Sequence, residues 1–192
     1  MRVAKYLRHD STTMDDNGTP DARAELNRLL DDFSKGILPS IGFVSSVKQL
    51  RDAHPGLIAP RPSLGVAVVA GFGHHTSGRD LMSLLLEIEG FTVRNTQVGE
   101  RDSDVIGMCM QPDVTVLCLS AQATEGVNGI ADIIRELDGT EARERIVFNA
   151  GGSPLSETTA RNLGCDVYAQ SAVESARAIK AEVESRHSAA NR

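Results

Sequence analysis

The chain has 192 residues, and its 26 acidic residues outnumber its 20 lysines and arginines, which gives a formal net charge of −6 at pH 7. The basic residues are scattered, so direct binding to nucleic-acid phosphates is not expected. The longest apolar stretch is far shorter than the roughly 20 residues that span a bilayer, so no membrane association is expected. An odd number of cysteines, no CxxC pair and no signal peptide indicate a cytoplasmic protein. The apolar surroundings of Cys109, Cys118 and Cys165 predict that all three are buried small side chains.

Four segments follow one another along the chain. Residues 1–21 are polar and lack an apolar period, which predicts a flexible arm. Residues 22–54 predict a short helical segment of two helices, since leucine, valine and phenylalanine recur there at helical spacing. Three prolines within residues 55–63 predict a linker. The remaining segment, 64–187, has the regular pattern of a folded α/β domain.

In this last segment, five short β-rich runs alternate with helical patterns: GVAVVAG, FTVRNTQVG, DVTVLCLS, RIVFNAGG and CDVYAQ. Continuous apolar runs are typical of parallel strands that are covered on both faces. The alternation predicts a flavodoxin-like five-stranded parallel sheet with helices on both faces. In such sheets, ligands bind outside the carboxyl ends of the strands, where the loops converge.

The loops after the first, third and fourth predicted strands are rich in small and polar residues, so they leave open space at this edge. The first of them contains adjacent histidines, His74 and His75, followed by Thr76, Ser77 and Gly78. A neutral imidazole is a good transition-metal ligand, and glycine gives the backbone room beside a bulky ligand. On this pattern alone, a metal ligand and an ordinary surface or capping histidine both stay open.

Three common doubly wound domains fit the loops poorly. A phosphorelay receiver needs acids where this chain has Gly73 and Ser120, so that hypothesis is excluded. A dinucleotide-binding domain needs a different glycine spacing and an acid where the second strand ends in Gln97. A flavodoxin would hold a phosphate at Thr76, Ser77 and the start of the following helix. The later loops have few aromatic side chains to stack a flavin, so this alternative is only weakly favoured.

Taken together, the motifs resemble the cobalamin-binding domain family of methionine synthase, carbon-skeleton mutases, corrinoid methyl carriers and cobalamin photosensors. The family's Asp-x-His-x-x-Gly corresponds to residues 73–78, its Ser-x-Leu to residues 120–122, and its glycine pair to residues 151–152. EGFTV and GCDVYAQSA match two further segments of the family in the same order. The resemblance spans roughly residues 64–185.

The resemblance implies a cobalamin site with His75 as the cobalt ligand beneath the corrin ring. The nucleotide tail of the cofactor would enter a slot between the first and third strands, where Ser120 bonds the base of the tail. The implied cofactor-binding residues are Thr76, Ser77, Gly78, Ser120, Gln122, Thr124, Gly151, Gly152, Tyr168 and Ala169. For the glycine pair, an ordinary strand-to-helix turn is the alternative, and for Ser120 and Thr124 it is helix capping.

Two positions depart from the family's pattern. Gly73 replaces the aspartate that hydrogen-bonds the far nitrogen of the cobalt-binding histidine, and such outer partners often matter for metal affinity. Gln122 replaces the leucine that packs against the base of the tail. These changes leave haem, which has no nucleotide tail, as an alternative cofactor.

The predicted domain offers a cofactor site but no substrate chamber, so no catalytic residue is predicted. The first functional hypothesis is a cobalamin sensor or regulatory binding module that acts through a partner protein such as a transcription regulator. The alternative is a small cobalamin-carrying subunit of a mutase or methyltransferase, working with a larger enzyme subunit. Because an enzyme that cycles the cobalt depends more on the Asp–His pair, Gly73 favours the sensor.

Overall fold

The computed structural model describes residues 19–72, 76–96 and 102–190. This part of the chain divides between Ile58 and Ala59 into two compact units, which we call the helical unit and the α/β unit. The division falls within residues 55–63, the segment for which the sequence predicts a linker. None of the helices in the described ranges is both long enough and apolar enough to cross a membrane.

The helical unit contains a pair of helices, α1 (Thr19–Ser34) and α2 (Ser40–Ala53). The rings of Phe33 and Phe43 stack with their centroids 4.6 Å apart. Val47 on the same helix as Phe43 is fully buried. The apolar spacing in the sequence therefore produces two amphipathic helices, joined by a short turn.

The α/β unit is built on a parallel sheet in the order β2-β1-β3-β4. Every neighbouring pair of strands runs parallel. The strands are β1 (Val66–Phe72), β2 (Thr92–Asn95), β3 (Val114–Ala121) and β4 (Val147–Gly151). The two central strands are almost wholly buried, as expected for apolar runs covered on both faces.

The predicted fifth strand is wrong: in the described part of the chain the sheet has four strands, and the segment after β4 forms only an isolated bridge between Asn149 and Val167. The backbone N–H groups of Asp166 and Val167 both donate to the Phe148 carbonyl, and two side-chain hydrogen bonds lie beside them. The Asp166 carboxylate accepts the Phe148 backbone N–H at 2.7 Å, and the Asn149 amide donates to the Val167 carbonyl at 3.0 Å. The segment therefore follows the sheet edge without forming a regular ladder.

Helices cover both faces of the sheet, as predicted. Val68 on β1 belongs to the buried core shared with Val105 and Ile130, whereas the next residue, Val69, points to the opposite face, as strand geometry requires. The first face is covered by α4 (Asp102–Cys109) and α5 (Thr124–Leu137), and the second by α3 (Ser77–Glu89) and α8 (Ala172–Ala190). Shorter helices complete the unit: a 3₁₀ turn (Pro62–Leu64), α6 (Glu141–Arg145) and α7 (Glu157–Asn162).

Candidate functional site

A cavity of about 200 Å³ lies between the sheet, α3 and the start of α8, at the carboxyl ends of the strands. We call it the slot. Its walls combine apolar side chains such as Val69, Leu81 and Met82 with polar ones from β3, β4 and α8. Pockets that enclose a whole small molecule commonly measure roughly 300–1,000 Å³, so the slot is too small to enclose a ligand of that size completely.

Five of the residues that the sequence predicts in the cofactor site line the slot. They come from the start of α3, the ends of β3 and β4, and the segment before α8: Gly78, Ser120, Gly151, Gly152 and Ala169. The other predicted residues do not line it, namely Thr76, Ser77, Gln122, Thr124 and Tyr168. His75, the predicted cobalt ligand, and its neighbour Gly73 lie outside the described residues.

Gly78 allows α3 to begin directly against β3. A Cβ atom at this position would lie 2.6 Å from the Ser120 hydroxyl oxygen, closer than real Cβ contacts come. Because glycine has no Cβ, the helix start and the strand end approach without displacing Ser120. Gly78 and Ser120 therefore together form the wall of the slot at the start of α3.

The adjacent glycines at the end of β4 serve different needs. Gly152 has φ +121°, and a Cβ there would lie 1.8 Å from the Ala121 carbonyl oxygen. A Cβ on Gly151 would have no heavy atom within 4 Å, although Gly151 lines the slot. Gly152 is therefore required by the backbone, and Gly151 keeps a space open.

Several predicted residues outside the slot have structural partners. The Thr76 hydroxyl donates to the Asp80 carboxylate at 2.7 Å, and the Tyr168 hydroxyl donates to the Leu155 carbonyl at 3.3 Å. Thr124 is exposed and begins α5, whose N-cap is Ala123, so it does not cap that helix. These contacts position the loops around the slot.

The chain is similar in sequence to known corrinoid proteins. No family profile matches the chain. Dimethylamine corrinoid protein 3 of Methanosarcina acetivorans is 29% identical over 100 residues, which cover 52% of this chain and 47% of that protein. Trimethylamine corrinoid protein 2 of the same organism is 23% identical over 111 residues, or 58% and 51% of the two chains. The chain thus spans about half the length of the curated relatives it matches.

Solved structures share the fold. A cobalamin-binding protein from Desulfitobacterium hafniense aligns with a TM-score of 0.66 at 15% identity, covering 83% of this chain and 82% of that one. The monomethylamine corrinoid protein of Methanosarcina barkeri aligns with a TM-score of 0.56 at 18% identity, covering 82% and 78%. The resemblance to the cobalamin-binding domain family is confirmed. A chain of the methanol:cobalamin methyltransferase complex from Methanosarcina barkeri also aligns, with a TM-score of 0.59 at 14% identity, covering 87% and 67%.

Within the α/β unit, sequence reasoning missed two buried polar residues of the slot. Asn149 on β4 is 2% exposed and Ser175 on α8 is 5% exposed, and both line the slot. The available signal was an amide in the otherwise apolar run RIVFNAGG, because a polar residue in a buried strand needs a partner. Ser175 gave no such signal, since serine is ordinary in a half-exposed helix.

The cysteines of this domain are thiols at neutral pH. Cys109 and Cys118 are buried, as predicted, whereas Cys165 is half-buried. Burial raises the pKa of Cys109 to about 12 and that of Cys165 to about 11, and it also raises the pKa of Cys118, which lines the slot. With no metal bound, Cys118 therefore presents a neutral thiol to the slot.

Proposed function

We propose that the α/β unit binds a cobalamin and that the chain serves as a small carrier subunit for a larger partner enzyme. The observation that supports this most strongly is the slot itself. It lies at the carboxyl edge of a parallel sheet, and Gly78, Ser120 and Gly151 line it at positions that the family's motifs designate. The corrinoid proteins that the chain resembles supply the identity of the cofactor.

The described residues fit the nucleotide tail of such a cofactor. Gly151 leaves space that a side chain would occupy, and the slot has the volume for one end of a large ligand. Its buried polar groups offer hydrogen bonds to a base, and apolar groups such as Val69 and Leu81 offer faces for it to pack on. The tail would therefore be held by Ser120 and the glycine-lined end of β4.

His75 remains the proposed lower ligand of the cobalt. The chain on either side of residues 73–75 supports the proposal, because Phe72 ends β1 and Thr76 precedes α3 at the slot edge of the sheet. A bound cobalamin would supply a cobalt centre that accepts and releases a methyl group. The chain's own residues would hold the tail and orient the ring, and Gly73 offers the histidine no side-chain partner.

The named relatives favour the carrier over the sensor. They are called methylamine corrinoid proteins, and one structural neighbour belongs to a methanol:cobalamin methyltransferase complex. On the same grounds, cobalamin is favoured over haem. In this proposal the slot holds only the tail of the cofactor. The substrate would therefore be brought by the partner, an enzyme subunit.

The cofactor and its ligand are tested together by His75→Ala. Purified chain mixed with hydroxocobalamin and passed through gel filtration is expected to retain a red chromophore with a shifted visible band. His75→Ala is expected to weaken retention by at least about tenfold and to change the band, because a direct metal ligand matters at least as much as the outer partners. His74→Ala is the matched control and is expected to leave both unchanged. Loss of all cobalamin from the unmutated chain would refute the proposed function.

Carrier and sensor differ in their response to light. The chain loaded with adenosylcobalamin is kept in the dark or illuminated, and its elution volume on gel filtration is measured. A carrier has no built-in coupling between cobalt–carbon cleavage and assembly, so we expect the same elution volume in both states. A light-dependent change of oligomeric state would instead support the sensor hypothesis.

A further inference from the structure

Three polar side chains face the slot with unused hydrogen-bonding capacity. They are Ser120 from β3, Asn149 from β4 and Ser175 from α8, and all three line the slot. Asn149 and Ser175 are more than nine-tenths buried. Buried polar groups normally have hydrogen-bond partners, so the buried Asn149 and Ser175 beside the half-buried Ser120 indicate that a polar ligand completes them.

Asn149 provides the clearest case. Its amide nitrogen donates to the Val167 carbonyl at 3.0 Å, and among the described residues this is its side-chain hydrogen bond. No fully buried side-chain polar atom in the described part of the chain lacks a partner, so the amide oxygen touches open space. The open space that Asn149 lines is the slot. The amide oxygen is therefore an acceptor held in place inside the slot.

Ser175 and Ser120 extend this polar surface. Ser175 lines the slot from the first turn of α8, where its backbone N–H donates to the carbonyl of Ser171, the residue before the helix. Ser120 lines the slot from the end of β3, beside Gly78 at the start of α3. A hydroxyl both donates and accepts, but the Asn149 oxygen only accepts. The slot therefore demands at least one donor from its ligand.

We propose that the slot selects corrinoids whose lower base carries a hydrogen-bond donor, an amino or hydroxyl group, on its ring edge. This inference rests on the proposed cobalamin-binding function. The dimethylbenzimidazole base of cobalamin presents two methyl groups and, once displaced from cobalt, a ring nitrogen that accepts. Ser120 or Ser175 satisfies that nitrogen, but the Asn149 oxygen would stay without a partner, which disfavours binding.

The experiment compares three corrinoids with the same upper ligand: cobalamin, adeninylcobamide and 5-hydroxybenzimidazolylcobamide. Their dissociation constants are measured on the full chain by titration of the visible spectrum. We expect at least one of the two donor-bearing corrinoids to bind roughly tenfold tighter than cobalamin, as one satisfied buried acceptor implies. A preference for the amino or for the hydroxyl compound identifies the donor. Equal affinities, or a preference for cobalamin, would overturn this inference alone, whereas no binding of any corrinoid would overturn the proposed function.

Single-residue variants test which side chains of the slot cause the preference for donor-bearing corrinoids. Asn149→Leu keeps the branched shape of the side chain but removes the acceptor and the donor to Val167. The ratio of the affinities for the donor-bearing corrinoid and for cobalamin is therefore expected to fall about tenfold. Ser175→Ala is expected to reduce the preference by a few fold. Its matched control is Ser83→Ala, a buried serine of α3 whose hydroxyl donates to the Arg79 carbonyl and which does not line the slot. If Asn149→Leu does not fold, Ser175→Ala and the ranking on the unmutated chain decide. An unchanged preference in both folded variants contradicts the assignment.

Discussion

Replacing Gly152 with alanine is expected to destabilise the α/β unit by roughly 3 kcal/mol or more. The residue has φ +121°, where L side chains are strained, and its new Cβ would lie 1.8 Å from the Ala121 carbonyl oxygen. That oxygen belongs to the end of β3, so backbone rather than a flexible side chain would have to move. Urea denaturation followed by circular dichroism measures the loss.

Gly151→Ala is the matched control for that experiment. Because a Cβ there has no heavy atom within 4 Å, the free energy of unfolding is expected to stay within about 0.5 kcal/mol of the original. The same methyl group enters the slot, so corrinoid affinity is expected to fall. Similar losses of stability in Gly151→Ala and Gly152→Ala would contradict this division of roles.

The pair answers a question that the sequence left open. A Gly-Gly after a strand is equally consistent with an ordinary turn and with a cofactor cradle. The structure assigns Gly152 to the turn, because its backbone geometry excludes a side chain whatever is bound. Gly151 has an ordinary backbone geometry and open surroundings, so its glycine has no structural cause in the described part of the chain. In the sequence the two glycines look alike. Only the backbone angle of Gly152 and the open surroundings of Gly151 show that one is required by the turn and the other leaves space in the slot.

The fold was predictable wherever the apolar pattern decided the structure. The runs around β1, β3 and β4 are continuously apolar, and burial on both faces follows directly. The fifth strand was predicted wrongly because the segment after β4 pairs with it only at the Asn149–Val167 bridge, where side-chain hydrogen bonds of Asp166 and Asn149 add to the contact. Such tertiary hydrogen bonds leave no mark on periodicity, so CDVYAQ is indistinguishable from an edge strand in the sequence.

The candidate site was predictable where the family's motifs placed residues at strand ends. Gly78, Ser120 and Ala169 belong to segments far apart in the chain, yet the parallel topology brings them to one edge. Ser175 could not be found this way, because its place in the slot depends on how α8 packs beside α3. The family's motifs therefore identify residues at the strand ends. The residues that α8 adds to the slot depend on how the helices pack, which the motifs do not reveal.

Asp166 joins the elements that hold the far side of the slot. Its carboxylate accepts hydrogen bonds from the Phe148 backbone N–H at 2.7 Å and from the Arg143 guanidinium at 3.0 Å, and it pairs with Arg186 of α8 at 3.0 Å. The side chain is 21% exposed, so solvent replaces these partners poorly. One carboxylate therefore connects β4, the segment that carries Val167, and α8.

Asp166→Ala is expected to destabilise the α/β unit by roughly 2–3 kcal/mol, because it removes the carboxylate shared by two partly buried arginines and leaves the Phe148 N–H without its acceptor. The control is Asp113→Ala, which removes the partner of Arg94 in an ion pair whose side chains are 48% and 43% exposed. Exposed pairs contribute little, so its effect is expected to stay below about 1 kcal/mol. Urea denaturation measures both variants, and equal losses would contradict the role of Asp166. Because Asp166 also holds Val167, the acceptor of the Asn149 amide, its replacement is expected to weaken corrinoid binding as well, while Asp113→Ala leaves binding unchanged.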